Sequence, residues 1–309
     1  MRSTSNSLAA SSGKFAVLLL VLVSLTRGSS FMFIKLGVEE MSVIALVFLR
    51  VSIASFFLFI IIKLNKRPIH VSRHDIIPLI LVAILGNIIP FSLIGFAEQE
   101  LDSGITSISV TLVPVFVLIL AQFFTVDERI TAGKLLGMTI SCCGIAIIFV
   151  PKLSLNAIAP IYVIAAISSA VFYAISTLVA KRITGTKPEV TSAFVLLMAG
   201  LMMLPFFLID VSESPLDMSF SLVGSVVGLA IIATAIPFVL MYKLIAEKGA
   251  TFFSLNNYLI PVFSLMLGSF LLHETLSVLD ILGTVVVLSG IWLCTRPKNW
   301  WRRINTPQT

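Results

Sequence analysis

Apolar residues in this chain come in long runs broken by short polar stretches, and the runs recur from one end to the other. Ten of them are long enough to be helical: Phe15–Leu36, Ser42–Ile62, Ile76–Ala97, Ile105–Val126, Leu135–Val150, Ile158–Ala180, Ala193–Ile209, Leu222–Ile245, Ala250–Leu272 and Val278–Cys294. A run of roughly 20 apolar residues crosses the ~30 Å hydrocarbon core of a bilayer as a helix. Strands of a membrane barrel would show alternating segments of about ten residues instead, and no such alternation is present. Unpaired backbone groups in hydrocarbon cost several kcal/mol each, which leaves helices as the practical choice. The pattern predicts an all-α polytopic membrane protein.

Composition strengthens this picture. Of 309 residues, 58% are hydrophobic and 12% charged, with a mean hydropathy of +1.09; soluble domains carry about twice that charged fraction. Arg2 and Lys14 precede an apolar run, Phe15–Leu25, of signal-peptide length. No clear small-x-small site ends it, and apolar character resumes at Phe31–Leu36. We read an uncleaved first span behind a disordered tail, Met1–Gly13.

The net charge of +6 raises the question of a nucleic-acid partner. The basic residues are scattered through short loops, as membrane orientation requires, so no nucleic-acid partner is expected. With the N-terminus inside, Arg2, Lys14, Lys63, Lys66, Arg67, Arg73, Arg129, Lys134, Lys181, Arg182, Lys187, Lys243, Lys248, Arg296, Lys298, Arg302 and Arg303 all fall on the inner side. Lys152 alone falls in an outer loop, while Arg27, Lys35 and Arg50 lie within or at the ends of spans. This asymmetry predicts cytoplasmic termini in the cell (inner or plasma) membrane, with Trp300 and Trp301 anchoring the last helix. Cys142, Cys143 and Cys294 sit in apolar segments, two of them adjacent, without a disulfide framework or metal-ligand spacing.

The chain also repeats itself. Pro90–Phe116, "PFSLIGFAEQELDSGITSISVTLVPVF", aligns without a gap on Pro237–Phe263, "PFVLMYKLIAEKGATFFSLNNYLIPVF". After a one-residue deletion Glu128, Gly137, Gly144 and Pro151 match Glu274, Gly283, Gly290 and Pro297. Two halves of five spans follow, and an odd number turns the second half upside down. Inverted repeats are a signature of secondary transporters, with a substrate site near the midplane between the halves.

Three segments carry a resemblance: "GSSFMFIKLGVEEMSVIALVFLR", "LVPVFVLILAQFFTVDERITAGKLLGMTISCCGIAIIF" and "KGATFFSLNNYLIPVFSLMLGSFLLHETLSVLDILGTVVVLSGIWL". With their Pro-Val-Phe triplets, an acidic residue about 13 positions later and a Gly-rich last helix, they resemble EamA-type transporters of the drug/metabolite transporter superfamily. The resemblance implies ten helices as two inverted EamA repeats around a central cavity, and export or exchange of amino acids or other small metabolites. The expected division is a tail at 1–13, repeats at 14–152 and 153–297, and a cytoplasmic basic tail at 298–309. The family usually carries a Trp before the Gly-Ser-Ser, where this chain has Arg27.

Arg27 is the most telling residue. A charge at bilayer depth costs from about 2.5 kcal/mol upward, so it normally faces a cavity or a partner. Three readings stand open: a fork for a substrate carboxylate or phosphate, a vestibule residue on a shorter span, or a bond to helix carbonyls. Ser30, Phe31 and Ile34 share its helix face. Arg50 lies about eight residues from the outer end of its span, where Glu39, Glu40 or an acid of the second half can meet it; Lys35, near the outer end of its helix, is placed to snorkel outward.

In the second half Ser169, Tyr173, Ser176 and Thr177 form a polar stripe, which serves either a cavity or plain helix packing. Asn256 and Asn257 precede Pro261 by about a turn, and Asn87 precedes Pro90 as their loose counterpart. The candidate substrate-binding set is therefore Arg27, Ser30, Phe31, Asn87, Tyr173, Ser176, Asn256 and Asn257. Pro90, Pro114, Pro237 and Pro261 are the expected helix breaks, and the glycines at 137, 144, 283 and 290 suit close helix approach. Glu128 and Glu274 read as loop and capping residues.

No catalytic or metal constellation emerges. His70 and His74 are spaced i, i+4 in a basic loop, without the Glu of a zinc-protease motif. No phosphate-binding loop is present, no mid-span carboxylate offers a proton relay, and no cofactor is expected. The favoured function is a secondary transporter of a small metabolite, working by alternating access in a lipid bilayer. The competing readings are an intramembrane lipid- or metabolite-modifying enzyme and a non-transporting membrane scaffold or receptor.

Overall fold

The computed structural model describes residues 2–101, 106–107, 110–124, 131–149, 160–213, 219–272 and 277–294. Its helices are α1 (Arg2–Gly28), α2 (Ser30–Glu40), α3 (Val43–Leu64), α4 (Ile76–Ala83), α5 (Ile89–Glu98), α6 (Val113–Phe124), α7 (Ala132–Phe149), α8 (Pro160–Ala180), α9 (Pro188–Glu213), α10 (Phe220–Ala230), α11 (Ile236–Lys248), α12 (Ala250–Ser254), α13 (Asn256–Leu272) and α14 (Val278–Cys294). Among the described residues there is no strand. Glu128, Arg129, Pro151, Lys152, Glu274, Pro297, Trp300, Trp301 and the basic tail lie outside the described residues.

Among the described residues, six continuous helical stretches are long and apolar enough to cross a bilayer: Phe15–Glu40, Val43–Leu64, Arg73–Glu98, Pro160–Ala180, Pro188–Glu213 and Leu222–Lys248. Shorter apolar helices at Val113–Gln122, Gly133–Ile147 and Ile281–Leu293, together with α13, occupy the remaining expected spans. One difference from the sequence pattern is at the start, where α1 runs from Arg2 through the residues expected as a tail. The stretch is rich in Ser and Ala and holds no proline, so nothing stops the helix from extending backward. Another is α9, which extends beyond the expected Ala193–Ile209 at both ends, from Pro188 to Glu213, with Pro205 inside it as in the expected span.

Polar and apolar residues are distributed as a bilayer demands. Phe56 is 69% exposed and Phe220 96%, whereas Asn87, Thr234, Asn256 and Ser169 are buried. Apolar side chains outside and hydrogen-bonded polar groups inside suit a lipid surround, because a monomer in water rarely exposes such a belt.

The packing carries the repeat into three dimensions. The most extensive pairs are α7 with α14, the last spans of each half, and α3 with α9, the second spans. The others come in reciprocal sets. The first span packs on α11 and α13 of the second half, and α8, the first span of that half, packs on α5 and α6. A pairing in which each element meets its partner's equivalent is what a two-fold axis produces. The glycines show it atom by atom. A Cβ at Gly144 would lie 2.7 Å from the Gly283 carbonyl oxygen, and one at Gly290 2.5 Å from that of Gly137. Backbones touch there, so these positions admit no side chain. With five spans per half, the axis lies in the membrane plane and the second half is inverted.

Both halves also break their third span at the same place. A π-helical turn at Ile84–Ile88 precedes Pro90, and another at Ile231–Ala235 precedes Pro237. Where pairing changes from i→i+4 to i→i+5, a carbonyl loses its backbone donor. Side chains supply it: Asn87 Nδ2 donates to Val82 O at 3.1 Å and Thr234 Oγ1 to Leu229 O at 2.7 Å. Thr234, rather than Asn256 or Asn257, is thus the structural counterpart of Asn87.

Polar clamps join the halves at each face of the bundle. On the face bearing Lys63, Arg67 and Lys181, here the basic face, buried Asp75 accepts from Gly185 N at 3.0 Å and from Thr186 Oγ1 at 2.7 Å. Arg67 pairs with Glu189 at 3.1 Å, and His74 Nε2 lies 3.1 Å from Asp75 Oδ1. On the opposite face Ser219 Oγ donates to Glu40 Oε2 at 2.6 Å, and Ser42 Oγ donates to Asp210.

Candidate functional site

The middle of the bundle is organised by a loosened turn. α1 ends at Gly28 and α2 begins at Ser30; Ser29 between them keeps helical backbone angles, with lengthened bonds of 3.3 Å to Leu25 O and 3.4 Å from Phe33 N, so the first span runs on through a slackened turn. Gly28 permits this span to press onto α13: a Cβ there would lie 3.0 Å from Phe263 Cβ and 3.1 Å from Ile260 O. Ser264 Oγ donates to Gly28 O at 2.8 Å, across the two halves. Arg27 is thereby held beside the loosened turn, lining the two central cavities.

Its guanidinium carbon lies 5.5 Å from the centroid of the Tyr173 ring. A cation over an aromatic face gains about 0.5–2 kcal/mol, more when desolvated. Counting back from Lys35 and Lys181 along "TRGSSFMFIK" and "FYAISTLVAK" pairs Arg27 with Tyr173 and Ser30 with Ser176. Equivalent positions of the two halves therefore face each other. Among the described residues no acid lies within ion-pairing distance of Arg27.

Arg50 stands at the other end of a short aromatic ladder. Its guanidinium carbon lies 3.7 Å from the centroid of the Phe91 ring, and Phe91 meets Tyr173 edge to face at 6.4 Å. Arg50 Nε donates to Thr234 Oγ1 at 2.7 Å. This corrects the expected pairing with Glu39, Glu40 or an acid of the second half: among the described residues Arg50 has no ion pair. Its helix direction carries it inward toward the second π-turn, away from the exposed acids at the helix end.

Two narrow cavities flank the Arg27–Tyr173 contact, and both residues line each of them. The one toward the basic face is reached by Gly86, Ser176, Thr177, Phe238 and Asn257. The one toward the opposite face is reached by Ser30, Phe31, Ile34 and Arg50. As the helices stand, each has room for little more than water.

The structure thus brings together Arg27, Ser30, Phe31, Tyr173, Ser176 and Asn257. The face shared by Arg27, Ser30, Phe31 and Ile34 is the lining of one cavity wall. Ser176 packs closely on Gly86: a Cβ there would run into the Ser176 hydroxyl and force it to turn aside. Asn87 and Asn256 are placed elsewhere, bonding Val82 O and Phe253 O inside the helix layer. Of the prolines, Pro90 and Pro237 follow the π-turns, Pro114 is the second residue of α6, and Pro261 lies within α13, after the interruption at Leu255.

Glu98 and Thr234 escaped sequence reasoning, and Arg50 was read as structural only. Glu98 ends an apolar run in the polar stretch "AEQE", which reads as a loop; the fold buries it completely. The signal available for Arg50 was its depth, and for Thr234 its register with Asn87.

Chemically, the site offers two guanidiniums, hydroxyls and amides around a divided cavity, and no nucleophile paired with a base. A model of the EamA-like transporter family matches residues 14–150 and again 160–296. An uncharacterized transporter of Archaeoglobus fulgidus is 32% identical, over 88% of this chain and 95% of its own. A probable amino-acid metabolite efflux pump of Escherichia coli is 24% identical, over 93% of this chain and 96% of its own. A probable terminal-alkyne amino-acid exporter of Streptantibioticus cattleyicolor is likewise 24% identical, over 91% and 93%. A crystal structure superposes with a TM-score of 0.76 at 16% identity, covering 95% of this chain and 99% of that one, which speaks for the fold alone.

Proposed function

The chain belongs to the EamA-like transporter family, a multi-pass membrane protein and a transporter rather than an enzyme, and from that premise we propose what it moves and how. It exports or exchanges small polar metabolites, amino acids or related compounds, by alternating access between its inverted halves. Arg27 holds the anionic group of the substrate, with Tyr173, Ser30, Ser176 and Asn257 around it. The observation that carries this reading is the position of Arg27: a half-buried guanidinium without an acid partner among the described residues, lining both cavities at once. A group placed at the divide meets the substrate from either side, as a fixed midplane site must.

Relatives named as amino-acid efflux pump and exporter support the substrate class. The clamps on the two faces are suited to act as gates, and the π-turns before Pro90 and Pro237 as the bends. The basic loops favour a cell-membrane protein with both termini in the cytoplasm.

The test is flux. Purified protein in proteoliposomes is screened with labelled amino acids and other carboxylates, in zero-trans and counterflow modes. At least one amino-acid-like carboxylate is expected to exchange, with its affinity dependent on Arg27. Exchange that ignores Arg27→Ala sinks the assigned site, and no movement of any carboxylate sinks the substrate class.

A further inference from the structure

Glu98, at the end of α5, is 0% exposed, and neither carboxylate oxygen has a hydrogen-bond partner among the described residues. Such a group is costly as an ion unless charges of opposite sign stand close. Lys35, on α2, donates its Nζ to the Glu98 main-chain carbonyl oxygen at 3.0 Å, and Arg50, on α3, lines the adjoining cavity; both cations act on the carboxyl from beyond ion-pairing distance. The other titratable groups on the helices packed against α5 are Tyr162 and Tyr173 of α8, stacked on Phe96 and edge-on to Phe91, the exposed Glu39 and Glu40 at the end of α2, and the exposed Lys63 near the far end of α3. Ile94, one turn before Glu98, lines the same cavity as Arg27 and Arg50.

We propose that Glu98 is a proton-binding site whose occupancy is linked, through Arg50, to an anion in the neighbouring cavity. Without hydrogen bonds the carboxylate depends on Lys35 and Arg50 for its charge. An anionic group bound at Arg50 cancels part of that positive field, and the uncompensated carboxylate then takes a proton. Protonation removes the buried negative charge, so anion and proton bind with positive cooperativity, and the linkage is reciprocal. The pair crosses as a carboxylate with a proton, and a pH gradient thereby drives substrate movement. The anion part rests on the reading of the site given above; the proton site does not.

The proton is read directly, without substrate, by infrared titration of the purified protein from about pH 4 to about pH 10. A carbonyl-stretch band of a protonated carboxyl group is expected to vanish as pH rises, and to be missing in Glu98→Gln. Arg50→Gln and, independently, Lys35→Met should move its midpoint upward by about one pH unit, since an opposite charge nearby favours the ionised form. A spectrum in which Glu98→Gln changes no titrating band overturns the proton site. A midpoint that Arg50→Gln leaves in place overturns the linkage, whatever Lys35→Met does. Uptake of labelled amino acids into vesicles separates this proposal from the transport reading. Uptake driven several-fold by an imposed pH gradient, and no longer so driven in Glu98→Gln, supports it; wild-type uptake indifferent to the gradient overturns it. If the wild-type protein moves no amino acid at all, the substrate reading falls while the infrared result still decides Glu98.

Discussion

The Arg27 guanidinium lies over the Tyr173 ring, 5.5 Å from its centroid, and joins equivalent positions in the first helices of two inverted halves. A cation and its aromatic counterpart at the centre of a quasi-symmetric bundle make an asymmetric site from a symmetric scaffold. Replacing Arg27 by Ala removes a charge-assisted contact worth about 1.5–3 kcal/mol, so substrate affinity should fall roughly 10- to 100-fold. Arg27→Lys keeps the charge but not the planar fork, and should fall between. Counterflow in proteoliposomes reads both; Tyr173→Phe, which preserves the ring, should change little, and Tyr173→Ala more.

Thr234 performs two tasks with one hydroxyl, donating to Leu229 O and accepting from Arg50 Nε. Thr234→Val leaves a buried carbonyl and a buried guanidinium N–H without partners, at about 1–3 kcal/mol for each unsatisfied group. Thr234→Ser retains the hydroxyl. Thermal denaturation in detergent should therefore rank wild type and Ser together and Val well below them. Equal melting of Val and Ser would show that the hydroxyl does not matter.

The contact between α7 and α14 should be intolerant of a single methyl group. A Cβ at Gly144 meets Val287 N at 2.6 Å and Gly283 O at 2.7 Å, and backbone cannot swing aside as a side-chain end can. Gly144→Ala is expected to lower stability by about 1–3 kcal/mol. Gly224, in α10, has nothing within 4 Å of its ideal Cβ. Gly224→Ala should be neutral or stabilising by up to about 1 kcal/mol, and the pair measured together isolates crowding from helix propensity.

If the clamps are gates, each should control access to its own cavity. In a background with Cys142, Cys143 and Cys294 replaced, Asp75→Ala releases Gly185 and Thr186. It should speed maleimide labelling of Ser176→Cys, in the cavity toward the basic face. Glu40→Ala releases Ser219 on the other face and should speed labelling of Ser30→Cys instead. Acceleration of both probes by either variant would mean general loosening, and the gate assignment would be lost.

The sequence by itself determined the membrane-spanning class, the helical content and the doubling of the chain. Those properties are written in local pattern: the length of apolar runs, the register of Pro90 and Pro114 with Pro237 and Pro261, the spacing of the glycines. It also singled out Arg27, because a charge inside an apolar run is anomalous wherever the run goes. Tertiary structure alone decided partnership. Asn87, Asn256 and Asn257 look alike in sequence, and each donates its amide to a main-chain carbonyl three to five residues back, yet of the three Asn257 is the one that also lines one of the two central cavities. Glu98 looks like the first residue of a loop, and Arg50 like half of an ion pair with Glu39 or Glu40. The fold sets Arg50 against Phe91 and Thr234, and seals Glu98 beside Lys35. The physical reason is one of range. Desolvation and helix propensity act on neighbours along the chain and leave a trace in the pattern. Whether a buried polar group finds a donor, a ring or an empty space depends on residues many positions away, which only the folded arrangement brings together.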